Sequence, residues 1–171
     1  VDLFEKTQLL GWSNINDKII CQFKNNQIQS KKIIFCTNGF LRSLNVKKNY
    51  SFPITLTASM TRPLNNEEFK NMGSPKEWGV LPIRPMGATI RLTKDKRILI
   101  RNTAELTNPN SMNLKDLSRR IETHKLGIKK RFPNLPENLI QYSWSGVVCR
   151  SGNSSQIFEK INDQTYVAGC Y

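Results

Sequence analysis

The stretch Ala88-Thr89-Ile90-Arg91-Leu92-Thr93-Lys94-Asp95-Lys96-Arg97-Ile98-Leu99-Ile100-Arg101 decides the fold. Two β-forming runs flank the polar triplet Lys94-Asp95-Lys96, the pattern of an antiparallel hairpin. Strand side chains alternate between faces, so Ile90 and Leu92 share one face while Thr89, Arg91 and Thr93 share the other. On the return strand, Ile98 and Ile100 oppose Arg97, Leu99 and Arg101. The hairpin therefore has one apolar face to bury and, opposite it, a face that carries arginines.

A cover for the apolar face follows along the chain. Leu114, Leu117, Ile121, His124, Ile128 and Phe132 recur at three- and four-residue steps, which predicts an amphipathic helix near 114–131. Asn113 is its expected cap, with Asp116 at the third helical position, and Pro133 and Pro136 mark its end. His124 is read as a packed helix residue. Upstream, Phe52 to Thr61 is rich in β formers and is closed by Arg62-Pro63. Asn66 to Met72 reads as a short helix capped by Asn65 or Asn66, with Glu67 and Glu68 in its first turn. Downstream, Ile140 to Val148 is a strand that contains Gly146. A glycine weakens a strand and usually marks the close approach of a backbone or a ligand. The expected fold class is α+β: a mixed, largely antiparallel sheet of residues 52–61, 88–93, 97–102 and 140–148, covered by one long helix.

A second strand cluster is expected at the chain ends. Val1 to Glu5 reads as a strand, and Ile19 to Phe23 with Gln27 to Ser30 reads as a hairpin around Lys24-Asn25-Asn26. Ile33-Ile34-Phe35-Cys36 is a continuous apolar run, as in a parallel strand buried on both faces. It breaks at Thr37-Asn38-Gly39, the carboxyl end of the strand, where open α/β sheets place ligands. Leu41 to Ser51 is basic and polar, a crossing between domains. Thr165 to Tyr171 is again an apolar β run. A strand at each end leaves unpaired edges, so the expectation is a piece cut from a larger protein.

Composition narrows the function classes. The chain has 171 residues, enough for one domain or for one domain plus parts of a neighbour. A hydrophobic content of 38% supports a real core and argues against disorder. Lys and Arg number 26 against 13 Asp and Glu, a net charge of +13, which first suggests nucleic acid. The basic residues, however, come in short groups such as Lys31-Lys32, Lys47-Lys48, Arg119-Arg120 and Lys129-Lys130-Arg131, with no aromatic-interleaved RNA motif. That distribution favours an anionic small molecule, or a merely basic surface, over nucleic acid.

Cys21, Cys36, Cys149 and Cys170 form no Cys-x-x-Cys pair, and Cys36 and Cys170 are expected as buried, reduced thiols. No metal site is expected, because the single histidine lacks a ligand partner at useful spacing. No run approaches the roughly 18 apolar residues of a membrane span. The opening residues lack the pattern of a secretory leader, and a cytoplasmic location is expected. No Ser-His-Asp arrangement, P-loop or paired-carboxylate motif stands out. Chemistry of that weight then belongs to a cofactor, and no residue is read as catalytic.

The order of motifs resembles the flavin-dependent oxidoreductases related to D-amino-acid oxidase, glycine oxidase and sarcosine oxidase. Ile33 to Gly39 resembles the strand and small-residue turn near the dinucleotide in that superfamily, and Phe52 to Leu64 resembles its first substrate-domain strand. Ile90 to Ile100 is similar to its x-Arg-x-Thr-x-Asp-x-Arg hairpin. Arg131-Phe132-Pro133-Asn134-Leu135 resembles its Phe-Pro-x-Leu helix end, and Trp144-Ser145-Gly146 its Trp-x-Gly strand. Tyr166 to Tyr171 resembles the strand that runs on into a Gly-x-Gly turn beside the flavin. Neither the Gly-x-Gly-x-x-Gly fingerprint nor that Gly-x-Gly turn is in this sequence, and Ser145 stands where a glycine is common.

The resemblance implies a division into residues 1–45, strands of an α/β FAD-binding domain; 46–148, a substrate-binding domain; and 149–171, a return into the FAD-binding domain. It implies FAD as cofactor, with weak or absent flavin binding by these residues alone, and an amino acid or amine as substrate. Oxidation of the C–N bond would give an imine that water hydrolyses. Arginines of the superfamily commonly pair with the substrate carboxylate, which points here to Arg91 first, then Arg101 and Arg84. Thr37, Asn38, Gly39, Trp144, Gly146 and Gly169 are the implied flavin-side residues. A second reading, a basic anion- or nucleic-acid-binding module without enzymatic activity, rests on charge alone.

Overall fold

The computed structural model describes residues 2–84, 87–106 and 114–170. The strands are β1 (Gly11–Ile15), β2 (Lys18–Gln22), β3 (Gln27–Ser30), β4 (Ile33–Phe35), β5 (Ser51–Thr61), β6 (Trp78–Val80), β7 (Thr89–Leu92), β8 (Ile98–Leu106), β9 (Ile140–Ser151), β10 (Ile157–Asn162) and β11 (Thr165–Gly169). The helices are α1 (Asn66–Asn71) and α2 (Leu114–Arg131), with a 3-10 segment at Asn38–Leu44. Val1, Tyr171 and the expected cap Asn113 lie outside the described residues. Contacts divide the chain into two units, Val1–Pro53 with Val148–Tyr171, and Ile54–Val147.

The second unit is built on a sheet of order β6-β7-β8-β5-β9. The β7–β8 hairpin is antiparallel, with Thr89 opposite Arg101, Ile90 opposite Ile100, Arg91 opposite Leu99 and Leu92 opposite Ile98. β5 pairs antiparallel with β8, Ala58 facing Arg101 and Met60 facing Leu99. β6 extends the sheet from the other side of β7, with Gly79 opposite Arg91. Ile90, Leu92, Ile98 and Ile100 are buried together with Leu64, Ile128, Leu135 and Leu139. A fully buried residue of this kind is worth about 1.5–3 kcal/mol relative to exposure, so this cluster is what holds the sheet to its cover. The cover is not α2 alone. Phe69 and Met72 of the α1 region, and Phe132 just beyond α2, also pack on it.

Local chemistry fixes α1 on the end of β5. The Asn65 side chain accepts the Glu68 amide at 2.8 Å while the Glu68 carboxylate accepts the Asn65 amide at 2.8 Å, a complete capping box. The same carboxylate takes a two-pronged contact from Arg62, at 2.7 and 2.6 Å. These hydrogen bonds from Arg62 hold the Glu68 carboxyl below its ordinary range.

In the first unit, β1-β2-β3 form one antiparallel sheet and β10-β11-β4 another. β11 pairs with β4 in parallel, Thr165 to Ile33 and Val167 to Phe35, and with β10 antiparallel. Phe35, Leu41, Val46, Cys149, Ile157, Val167 and Cys170 form the core, against which Trp12 packs. The Trp12 indole donates to the Leu44 carbonyl at 2.9 Å.

Several expectations are corrected. Residues 2–5 form no strand, and Leu3 and Phe4 lie exposed, because no neighbouring strand takes their backbone groups. The described strand pairs of the five-stranded sheet are antiparallel, and the parallel pair sits in the other unit instead. β6 and β10 were not foreseen. Cys36 is exposed rather than buried, since it follows the last residue of β4. Cys170 is not a free thiol: it is joined to Cys149 by a disulfide, with the Cα atoms 4.4 Å apart.

Candidate functional site

The two faces of the five-stranded sheet carry different chemistry. On the face toward α2, β5 presents Thr55, Thr57, Ser59 and Thr61, all fully buried. Thr57 Oγ1 lies 2.8 Å from Ser145 Oγ, and Ser59 Oγ lies 2.8 Å from Ser143 Oγ and 2.7 Å from His124 Nδ1. Burial pushes the His124 imidazole below its ordinary value, which keeps it neutral. Among the described residues, its Nε2 and the Nε of the buried Arg120 one turn earlier have no partner. Arg120 is paired instead through Nη2 with Glu105, whose carboxyl the Arg120 hydrogen bond holds low.

Those contacts also fix the opposite face. Thr57 with Ser145 and Ser59 with Ser143 run in opposite senses along β5 and β9, so Ala58 lies across from Trp144 and Met60 across from Tyr142. Combined with the registers above, two rows cross the open face. One is Thr89, Arg101, Ala58 and Trp144; the other is Gly79, Arg91, Leu99, Met60 and Tyr142. The structure thus brings Arg91, Arg101 and Trp144 onto one surface. Adjacent strands are about 4.8 Å apart, which puts the arginine columns roughly 10 Å or more from the aromatic edge. Gly79 leaves the space beside Arg91 clear: a Cβ built there meets only the Arg91 Cγ, at 3.9 Å. A cleft of about 470 Å³ along β6 and β7 is lined by Glu77, Gly79, Leu81, Thr89 and Arg91.

The arginines of this face differ in how they are held. Arg97 is tied down, with Nε on Asp95 at 2.8 Å, Nη1 on the Thr61 carbonyl at 2.9 Å and on Gln141 at 2.7 Å, and its guanidinium over the Tyr142 ring. Arg101 donates from Nη2 to Thr89 Oγ1 at 3.1 Å. Among the described residues, no hydrogen bond or ion pair engages Arg91, and it is exposed. Arg84 is not part of this group. It lines a separate, largely apolar recess of about 480 Å³ with Trp78, Pro82, Ile83 and Phe132. At Gly146 an added Cβ meets nothing within 4 Å, so no neighbouring backbone explains this glycine.

The remaining expected residues meet in the first unit, at the carboxyl ends of the parallel pair β4 and β11. Asn38 adopts a left-handed backbone, φ 44°, and its Oδ1 accepts the Cys170 amide at 3.0 Å. Gly39 is buried, and a Cβ at Gly169 would force the buried Leu41 side chain to shift, since Leu41 Cδ1 lies 2.7 Å from its position. Thr37 Oγ1 is buried and has no partner among the described residues. An orphaned hydroxyl beside a left-handed asparagine, at the end of parallel strands, fits one wall of a nucleotide site. Among the described residues, no three His, Cys, Asp or Glu gather as a metal site. No described helix is long and apolar enough to cross a membrane.

Sequence reasoning missed the buried Arg120, the hydroxyl row of β5 and Tyr142. An arginine on a helix is ordinarily read as solvated, but Arg120 stands four residues before His124, on the same helical face, and that spacing was the available signal.

No protein-family model and no curated protein matches the chain. Among solved structures, it superposes on glycine oxidase from Geobacillus kaustophilus with a TM-score of 0.73 at 12% identity, over 98% of this chain and 43% of that one. L-proline dehydrogenase from P. horikoshii gives 0.68 at 17%, over 96% and 44%. L-α-glycerophosphate oxidase from Mycoplasma pneumoniae, solved with FAD bound, gives 0.65 at 14%, over 96% and 44%. The likeness establishes the fold alone: the chain folds like part of these oxidoreductases. It spans less than half the length of these structures.

Proposed function

We propose that this chain is the substrate-binding portion of an FAD-dependent oxidoreductase that acts on the C–N bond of an amino acid or amine, with 54–147 as the substrate domain and the first unit as part of the FAD domain. The observation that carries this reading is Arg91: a guanidinium that no described residue engages, on the open face of a sheet that folds like part of glycine oxidase and L-proline dehydrogenase. A guanidinium fork matches the two oxygens of a carboxylate. Arg91 then binds the substrate carboxylate, while Tyr142 and Trp144 shield the far side of the face from water. When bound, FAD supplies the two-electron acceptor chemistry. Thr37 and Asn38 would hold part of it at the carboxyl ends of β4 and β11. No residue of this chain is assigned a proton transfer, because orienting the reacting carbon does much of the work.

The phosphates of a dinucleotide usually rest on the helix amino end that follows a first strand, and the sequence holds no such fingerprint. These 171 residues alone are therefore expected to bind flavin weakly and to be inactive. Equilibrium dialysis that finds tight, stoichiometric flavin binding by them would contradict this. In a protein that also carries the fingerprint, anaerobic addition of amino acids and amines is expected to bleach the flavin. A panel of both classes that leaves the flavin oxidised would overturn the proposed reaction.

A further inference from the structure

Resting on that reading, we propose that the open face takes an amine bearing two acidic groups, with Arg91 on one and Arg101 on the other. Arg91 stands opposite Leu99, so Arg101, two residues further along β8, is its diagonal neighbour on the same face. Diagonal positions are about 7–8 Å apart, within reach of long side chains. Two other arginines at the sheet, Arg62 and Arg97, are each neutralised by a carboxylate, Glu68 at 2.6 Å and Asp95 at 2.8 Å. Among the described residues no ion pair involves Arg91 or Arg101; Arg101 is merely aimed by the Thr89 hydroxyl, a neutral acceptor. Two like charges at this spacing repel, and a bidentate fork engages both oxygens of one carboxylate. A ligand with two acids set a few bonds apart satisfies both forks and removes the repulsion. Glycine at 79 and alanine at 58 keep the rows beside both guanidiniums low.

The test uses the intact, flavin-loaded protein with alanine and N-methylglycine as monoacids, and aspartate, glutamate and iminodiacetate as diacids. The diacids are expected to show kcat/KM about 10- to 100-fold higher, the gain of one further charge-assisted contact. Arg101→Gln is expected to erase that advantage, lowering kcat/KM for the diacids about 10- to 100-fold more than for the monoacids, with unchanged flavin content. Equal kinetics for both classes in the unaltered protein, or an Arg101→Gln that slows both alike, would overturn the proposal. Succinate and acetate carry no nitrogen to oxidise, so they judge the anion site separately from the reaction. Perturbation of the flavin spectrum by succinate at about 10-fold lower concentration than by acetate supports it, and equal concentrations refute it, whether or not any amine is turned over.

Discussion

The two faces of the five-stranded sheet treat their polar groups in opposite ways. Under α2, the Thr57 and Ser59 hydroxyls are shut from water and meet partners within the chain, on Ser143, Ser145 and His124. On the other face, Arg91 and Arg101 stand without any acidic partner among the described residues. A buried polar group must find its bond as the chain folds or cost stability, so the first face belongs to the fold. An exposed guanidinium costs the fold little and keeps its fork for something else. The comparison separates residues that hold the sheet together from residues the sheet displays.

Substitutions should divide along the same line. The largest expected effect is on the closed face: Ile100→Ala removes a fully buried side chain and should cost about 2–5 kcal/mol of stability. Calorimetric or denaturant unfolding checks this, and the KM of protein that remains folded should not change. Arg91→Lys should do the reverse. It keeps the charge but loses the fork, a loss of about 1.5–3 kcal/mol in substrate binding, read as KM. Its unfolding free energy should stay within about 0.5 kcal/mol of the parent; a large drop would move Arg91 to the structural face.

Glu68→Gln should cost about 1 kcal/mol, because Gln keeps the capping contact but gives up a charge-assisted pair whose arginine is partly solvated. The smallest expected effect is pH-dependent. His124 is held neutral in the folded state, with its pKa below the ordinary value of about 6.5. Below that value the unfolded chain binds the proton more readily, so the stability that the neutral form contributes is lost as pH falls from about 6.5 toward the folded pKa. Melting curves between pH 7 and 5 should show this loss, and His124→Gln should flatten it. The carboxyls of Glu68 and Glu105 are held low, so their share is lost only as pH falls below about 4.5.

The hairpin of residues 88–101 was legible because a period of two over both strands leaves one self-consistent pairing, and that same alternation put Arg91 and Arg101 on one face. α1 was legible from its cap, where Asn65 and Glu68 satisfy each other locally. β6 was not, since three residues, Trp78–Val80, give no period to read. β10 escaped because Ile157-Phe158-Glu159-Lys160-Ile161-Asn162 keeps no period of two and lies along an edge, leaving Phe158 exposed. β5 shows the harder limit. Hydrophobic alternation would turn Leu56, Ala58 and Met60 inward, yet the hydroxyl residues face α2 because Ser143, Ser145 and His124 supply bonds that lie far away in sequence. The Cys149–Cys170 pairing and the meeting of Asn38 with Cys170 likewise depend on tertiary proximity.

Whether Arg91 acts through a substrate carboxylate is decided by one paired measurement. In the intact, flavin-loaded protein, the KM change caused by Arg91→Lys is taken for an amino acid and for the same amine lacking its carboxylate. The prediction is a rise of about 10- to 100-fold for the amino acid and less than about twofold for the amine. Equal changes for the two, or none for either, would contradict it and return Arg91 to the solvated surface.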